Sequence, residues 1–140
     1  MASVIYNSFL EDLAKGAIDI DTDTFYVMLV TSSYTANKDT HLKRSSVTAN
    51  EITGTGYTAK GQSIAPTITK DTANDRLDIS WATTTWANAT ITARGAVIYK
   101  YRGGADTADE LVAYVDFGSD VSSTSAAFAV TFSSPLRFQN

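Results

Sequence analysis

The stretch SWATTTWANATITARGAVIYKY, from Ser80 to Tyr101, decides the fold class because it holds both tryptophans of the chain among β-forming residues. Threonine and other β-branched residues recur in it, as is typical of strands. Trp81 alternates in phase with Leu77 and Ile79, which predicts that it lies in a core. Trp86 is expected near a strand end. No polar groups converge in this stretch, so we interpret it as the inside of a sandwich and not as the wall of a cleft.

The period of two continues on both sides of this stretch. Four further runs alternate or are wholly apolar, and turn-forming Gly, Asn, Asp and Ser separate them. FYVMLVTS is apolar on both faces, which is typical of a central strand. Seven or eight short strands of this kind predict an antiparallel β-sandwich, jelly-roll-like. The runs are Phe25–Ser32, Arg76–Ala82, Leu111–Phe117 and Ala126–Phe132.

One short helix precedes the strands, and we expect it over residues 4–15. Tyr6, Phe9, Leu10 and Leu13 recur at the i, i+3, i+4, i+7 spacing of one helical face. Ser3 is a candidate N-cap and Gly16 a candidate C-terminal stop. The expected fold is therefore mainly β, in a single domain over residues 1–140, with this helix at its N-terminus.

Residues 33–56 form the most polar part of the chain. The segment carries few large apolar residues, and a structureless loop of this length is uncommon inside a compact domain. We therefore expect an extended polar loop or arm that becomes ordered against a neighbouring molecule.

Composition excludes several classes of function. The 140 residues carry a net charge of -4 and no cysteine. Nucleic acid and anionic membranes are poor partners for such a chain because both need a basic face. Disulfides and zinc–thiolate sites are excluded. The first residues also lack the basic and apolar regions of a signal peptide, which predicts a soluble protein.

No motif in the sequence predicts catalysis, a metal or a cofactor. The acidic run DIDTD (Asp19 to Asp23) lacks the glycine and the twelfth-position acid of a calcium loop, so we interpret it as a turn. His41 is the one histidine, and no nucleophile motif accompanies it. Two classes remain: a sandwich that binds a carbohydrate or other ligand, and a structural protein that acts through its interfaces. An exposed row of aromatic residues would favour the first class.

Blocks along nearly the whole chain resemble a family of small virion proteins of tailed bacteriophages, closest to the capsid cementing, or decoration, proteins. The blocks are MASVIYNSFLEDLAKGAIDIDTDTFYVMLVTSSYT, NKDTHLKRS, WANATITARGAVIYK, ADELVAYVDFG and the ending LRFQN. The resemblance implies a jelly-roll-like fold on the outer surface of an icosahedral head, in a protein made in the cytoplasm of the host bacterium. It also implies small oligomers that bridge neighbouring major capsid subunits and stabilise the shell.

Candidate contacts follow from the residues themselves. In the polar segment, Lys43 and Arg44 would make charge-assisted contacts with carboxylates of the major capsid protein. The same partner, or a second copy of this chain in a dimer, would meet an apolar C-terminal tail. If these segments are not contacts, the loop is solvated and the tail is a final edge strand. The alternative function is a phage fibre or receptor-binding module that recognises a host glycan. The six candidate contact residues are His41, Lys43, Arg44, Leu136, Arg137 and Phe138.

Overall fold

Residues 3–140, which the computed structural model describes, form two antiparallel sheets and one α-helix, so the prediction of a mainly β sandwich is confirmed. The elements are β1 Val4–Ile5, α1 Asn7–Lys15, β2 Phe25–Val30, β3 Gln62–Ile64, β4 Pro66–Asp71, β5 Arg76–Trp81, β6 Thr84–Lys100, β7 Leu111–Val130 and β8 Leu136–Gln139. The larger sheet has the strand order β1-β7-β6-β2-β3 and the smaller one β4-β5-β8. No helix in this part of the chain is long and apolar enough to cross a membrane.

The centre of the larger sheet is buried on both faces, as the apolar run from Phe25 predicts. Phe25 and Leu29 of β2 belong to a core cluster that also contains Ile79 of the smaller sheet. Met28 and Val30, which alternate with them, belong to a second cluster on the opposite face. Strand β2 is therefore covered from two sides, and this explains why it lacks the polar alternation of a half-exposed strand.

Both tryptophans lie in the first core cluster. The ring of Trp81 packs edge-on against Phe25, with 5.3 Å between ring centroids. Trp86 is the third residue of β6 and meets Phe128 of β7 edge-on at 6.3 Å. The prediction that Trp81 is a core residue is confirmed, and the stretch from Ser80 to Tyr101 is part of the sandwich interior.

The two apolar runs at 111–117 and 126–132 do not form separate strands. They belong to the single long strand β7, which pairs with β6 along most of its length. The expected turn around Gly118 is a bulge, because the partner of Gly95 is Asp116 while the partner of Ala93 is Val121. Five positions on β7 thus match two on β6, and Gly118 takes a φ of 83° inside the bulge. The prediction of a turn between two strands is therefore wrong here, because β7 continues past these residues in pairing with β6.

The helix begins at Asn7, so the prediction that it begins at residue 4 is wrong. Residues Val4–Ile5 pair instead with β7, and Tyr6 occupies the N-cap position without a side-chain cap. The Oγ of Ser3 accepts the backbone N–H of Asp116 at 2.9 Å and does not cap the helix. Gly16 ends the helix in the left-handed conformation, φ 75°, as predicted.

The polar segment folds onto the body and does not extend as an arm. Tyr34 and Val47 enter the second core cluster and Ile52 enters the first. Two short 3-10 turns, Arg44–Ser46 and Thr48–Asn50, carry the chain across the face of the larger sheet. This segment supplies the cover that buries the second face of β2.

Candidate interaction surfaces

Arg44 lies inside the protein and is not available as a surface contact. Its side chain is 4% exposed, and its Nε donates to Oδ2 of Asp109 at 2.7 Å. The guanidinium also lies over the ring of Tyr99, 5.2 Å from the ring centroid. Backbone pairing supports the same contact, since the N–H of Arg44 donates to the carbonyl of Asp109. The expectation that Arg44 binds a capsid carboxylate is therefore wrong, because a buried carboxylate of its own chain already occupies it.

Lys43 is partly exposed but belongs to the same charge cluster. Its Nζ lies 3.2 Å from Glu110, whose carboxylate also meets Arg102 at 2.8 Å. Burial raises the pKa of Glu110, but the hydrogen bond from Arg102 and the Lys43 ammonium outweigh this and lower it below its usual range. Asp109 and Glu110 are neighbours in sequence, and each is satisfied by different cations. The cluster joins the polar segment to the start of β7.

His41 takes part in a hydrogen-bonded series of rings. Its Nδ1 accepts the backbone N–H of Asn37 at 3.3 Å and lies 3.0 Å from the hydroxyl of Tyr34. Because Nδ1 accepts from Asn37, the Tyr34 hydroxyl must donate to it, and that hydroxyl in turn lies 2.6 Å from the hydroxyl of Tyr6. Burial lowers the pKa of His41. Through these hydrogen bonds the His41 ring helps to hold the loop at residues 37–41 in place.

The acidic run after α1 does not belong to a metal-binding cluster. No group of three or more His, Asp or Glu side chains in residues 3–140 could hold a metal ion. The turn from Asp19 to Asp23 closes on itself, with the Asp19 carboxylate accepting the N–H of Asp21 at 2.9 Å. Lys100 reaches Asp23 at 2.7 Å. The acidic run thus joins helix and strand as interpreted.

The C-terminal tail forms β8, a last edge strand of the smaller sheet, paired with β5. Leu136 packs against the first core cluster. Arg137 points the other way and binds both oxygens of Asp78, at 2.7 and 2.9 Å. Phe138 shares the face of Leu136 but is 40% exposed. Of the six predicted contact residues, the structure leaves Phe138 as the apolar one with a substantial free surface.

An acid-rimmed cleft lies at this end of the smaller sheet. Its volume is about 340 Å³, and one wall is the inner face of the sheet while the other is the end of α1 and the turn after it. Ile68, opposite Ile79 in the pairing of β4 with β5, is 43% exposed there. The smaller sheet therefore extends beyond the core that it covers. The lining residues are Leu13, Gly16, Ile18, Asp19, Ile20, Asp21, Ile68, Leu77, Ile79 and Phe138.

A second uncovered surface is the outer edge of β7 over residues 121–130, here called the bare edge. Strand β1 pairs with β7 only at Ala113 and Tyr114, and within residues 3–140 no strand follows on that side. Val121 is 43% exposed, and residues 124–127 are exposed. Apart from the bulge before it, the bare edge has none of the Lys or Pro residues that usually protect such an edge.

Another groove, about 720 Å³, opens between β1 and the segment that leads into β8. Its lining mixes apolar residues such as Ile5 and Phe132 with polar ones such as Lys38 and Ser134. It lies where the two sheets of the sandwich are open along one side. The mixed lining gives no indication of a particular ligand.

Comparisons of the chain with protein-family models, with curated proteins and with solved structures found no match.

Proposed function

We propose that this chain is a structural virion protein that cements the outside of an icosahedral phage capsid by bridging neighbouring major capsid subunits. The resemblance of its sequence blocks to phage virion proteins suggests this role. The observation that supports it most is the presence of two uncovered surfaces, the acid-rimmed cleft and the bare edge, on one body. A bridging protein needs at least two such surfaces.

The two surfaces lie well apart. Lys100 donates to the carbonyl of Ala17 at 2.7 Å, so the turn beside the cleft lies at the last residues of β6. The bare edge begins opposite Ala93 and Ile91, which pair with Val121 and Ser123. Seven residues of strand separate Ala93 from Lys100, which is roughly 23 Å at about 3.3 Å per residue, and the rest of the bare edge lies farther away. One copy can therefore contact two partners at once.

Binding of this kind stabilises a shell by mass action. A protein that binds only the assembled, expanded shell lowers its free energy relative to every other state of the subunits. Many copies act together, so each contact needs only a modest area. This mechanism requires no catalytic residue, cofactor or metal.

The proposal includes a homodimer that forms along the bare edge. An unprotected strand edge is a template for pairing with another chain, and a two-fold axis lets the same edge serve both partners. Residues 121–130 carry no charge, so two copies can approach along the bare edge without repulsion between like charges.

The glycan-binding alternative has less support because the aromatic residues are turned inward. The chain has two tryptophans, seven tyrosines and six phenylalanines. Within residues 3–140, Phe138 is the one of these that belongs to the exposed large apolar residues. Tyr26 and Tyr101 are half-buried, but their rings stack on each other at 4.0 Å and cover one face of each. Sugar-binding rows use exposed ring faces, which this surface does not offer.

The test is decoration of phage heads that lack the protein. Purified protein should sediment with expanded heads, bind unexpanded shells poorly, and raise the temperature at which the heads release DNA. Retention on immobilised host polysaccharide, without binding to heads, would reject the proposal in favour of the receptor-binding alternative.

A further inference from the structure

The acid-rimmed cleft combines an uncovered apolar floor with charged residues of one sign at its edge. Ile68 and Phe138 are 43% and 40% exposed although both lie on the inner face of the smaller sheet. The outer face of that sheet is polar and carries the Arg137–Asp78 ion pair. The apolar face thus continues beyond the core, and exposed apolar surface bordered by polar residues is typical of an interaction site.

The charged rim comes from the turn after α1. Asp19 and Asp21 line the cleft beside Ile18 and Ile20, which alternate with them and pack into the core. No lysine or arginine within the described part of the chain forms an ion pair with either carboxylate, whereas Asp23 is paired with Lys100. The acidic run therefore presents two exposed negative charges directly over apolar surface.

One cation lies on the same face of the smaller sheet. Lys70 is opposite Leu77 in the pairing of β4 with β5, farther from α1 than Ile68. It lines a neighbouring groove together with Arg76, Asp71 and Asp75. That groove shares Leu77 and Phe138 with the cleft, but Lys70 is not among the residues that line the cleft. The cleft itself is lined by two acids and no base.

We propose that the acid-rimmed cleft is the docking site for a partner segment in which an aliphatic or aromatic side chain lies next to a lysine or arginine. The apolar side chain enters between Ile68, Phe138 and Leu13, and the cation meets Asp19 and Asp21. Assigning that segment to the major capsid protein rests on the proposed function.

A second copy of the chain fits this cleft less well. Its exposed apolar residues with a basic neighbour are Leu42, which is 50% exposed and precedes Lys43, and Phe138, which follows Arg137 and itself lines the cleft. Arg137 is already bound to Asp78 on the outer face of the smaller sheet. The Lys43 ammonium already lies 3.2 Å from Glu110 of its own chain. Docking of Leu42 would have to draw that cation away from a nearly buried carboxylate, so the charge complementarity favours a different protein.

Binding to expanded heads tests the proposal through matched variants. Docking can bury only the 40% of Phe138 that is still exposed, so Phe138→Ser should weaken binding by roughly threefold to tenfold. The double variant Asp19→Asn with Asp21→Asn should weaken binding less and should reduce its dependence on salt concentration. Leu42→Ser, which removes a somewhat more exposed apolar side chain elsewhere, is the control and should bind as the wild type does.

A second measurement does not depend on phage heads. In ¹⁵N-labelled protein, the peptide acetyl-Lys-Leu-Lys-amide should shift the amide resonances of Ile18, Ile68 and Leu77. Acetyl-Glu-Leu-Glu-amide should not shift them, and Phe138→Ser should abolish the response to the first peptide. Equal shifts with both peptides, or none with either, would overturn the proposed chemistry of the cleft.

Failure of this inference is distinguishable from failure of the proposed function. If wild-type protein binds heads and the cleft variants bind equally well, the cleft is not the docking site while the cementing role stands. If wild-type protein does not bind heads but the lysine peptide shifts the cleft resonances, the cleft chemistry stands and the cementing role fails. If Phe138→Ser lowers the oligomeric state in sedimentation and leaves head binding unchanged, the occupant is a second copy and the proposal is wrong.

Discussion

Two regions of the molecule show the opposite of the exposure that their composition predicts. One is the basic loop at residues 41–44, and the other is the far end of the smaller sheet, at Ile68 and Phe138. The loop carries His41, Lys43 and Arg44, yet Arg44 is almost fully buried against Asp109. The sheet end carries Ile68 and Phe138, yet both are about two-fifths exposed. A charge becomes buried where the fold supplies an opposite charge, and an apolar face stays exposed where no element covers it. Exposure in this protein is thus decided by the partners that the topology supplies.

Breaking the buried pair should have the largest effect. Arg44→Ala leaves the carboxylate of Asp109 buried without its cation, and such a loss costs about 3–5 kcal/mol of the free energy of unfolding. Urea denaturation measures this directly. The double variant Arg44→Met with Asp109→Leu is the control, since it removes both charges together and should recover much of the stability. A cost below about 1 kcal/mol for Arg44→Ala would mean that the loop is not anchored there.

The near end of the smaller sheet, at Trp81, should behave as core, unlike the far end at Ile68 and Phe138. Trp81→Ala should cost about 3–5 kcal/mol, as large aromatic truncations do. Trp81→Phe should cost clearly less, because the Nε1 of Trp81 has no hydrogen-bond partner among the described residues to lose. Thermal and urea unfolding of both variants check the difference. Equal losses in the two would contradict a role based on packing volume.

The partly exposed ion pair of Arg94 with Asp116 should contribute less to the free energy of unfolding than the two preceding cases. Its contribution should also depend on pH. Burial raises the pKa of Asp116, but the N–H of Gly118 and the Arg94 guanidinium outweigh it and hold the pKa at about 2. The value in an unfolded chain is about 3.9. The folded state is therefore stabilised above about pH 4, and this contribution disappears as the pH falls toward 2.

The measurement is urea unfolding of wild type and Asp116→Asn from pH 7 to pH 2.5. The variant should be less stable at pH 7, and the gap should narrow between about pH 4 and pH 2.5. A gap that stays constant with pH would show that Asp116 acts by something other than its charge.

The smallest effect on stability is expected at the far end of the sheet. Phe138→Ser should cost about 1 kcal/mol or less, because the side chain is 40% exposed and lies on an edge strand. A loss as large as that of Trp81→Ala would contradict the distinction between the two ends, and it would make Phe138 a core residue.

Local pattern was sufficient for most of the fold. Alternation identified β5 and the burial of Trp81, and a glycine at residue 16 identified the end of α1. The two-residue strand β1 has no pattern long enough to detect. The bulge at Gly118 carries the same residues as a turn, so only the continuing partner strand distinguishes them.

The candidate surfaces were less predictable because they depend on distant parts of the chain. The partner of Arg44 lies 65 residues away, and no local signal connects the two. The acidic run was recognised as a turn, but its proximity to Ile68 and Phe138 follows only from the packing of the smaller sheet against α1. The sequence did carry one signal for this surface. The apolar pair Leu136 and Phe138 in the C-terminal tail indicated either a strand or a contact. In the structure, Phe138 lies in a strand and keeps a free surface.

Cryo-electron microscopy of the virion tests the central claim most directly, because it locates this chain and shows which of its surfaces faces a neighbour. The account predicts density for the protein on the outer surface of the head, bridging major capsid subunits, with Ile68 and Phe138 turned toward the shell. Density on the tail or at a fibre tip, or on the head with the acid-rimmed cleft open to solvent, would contradict it.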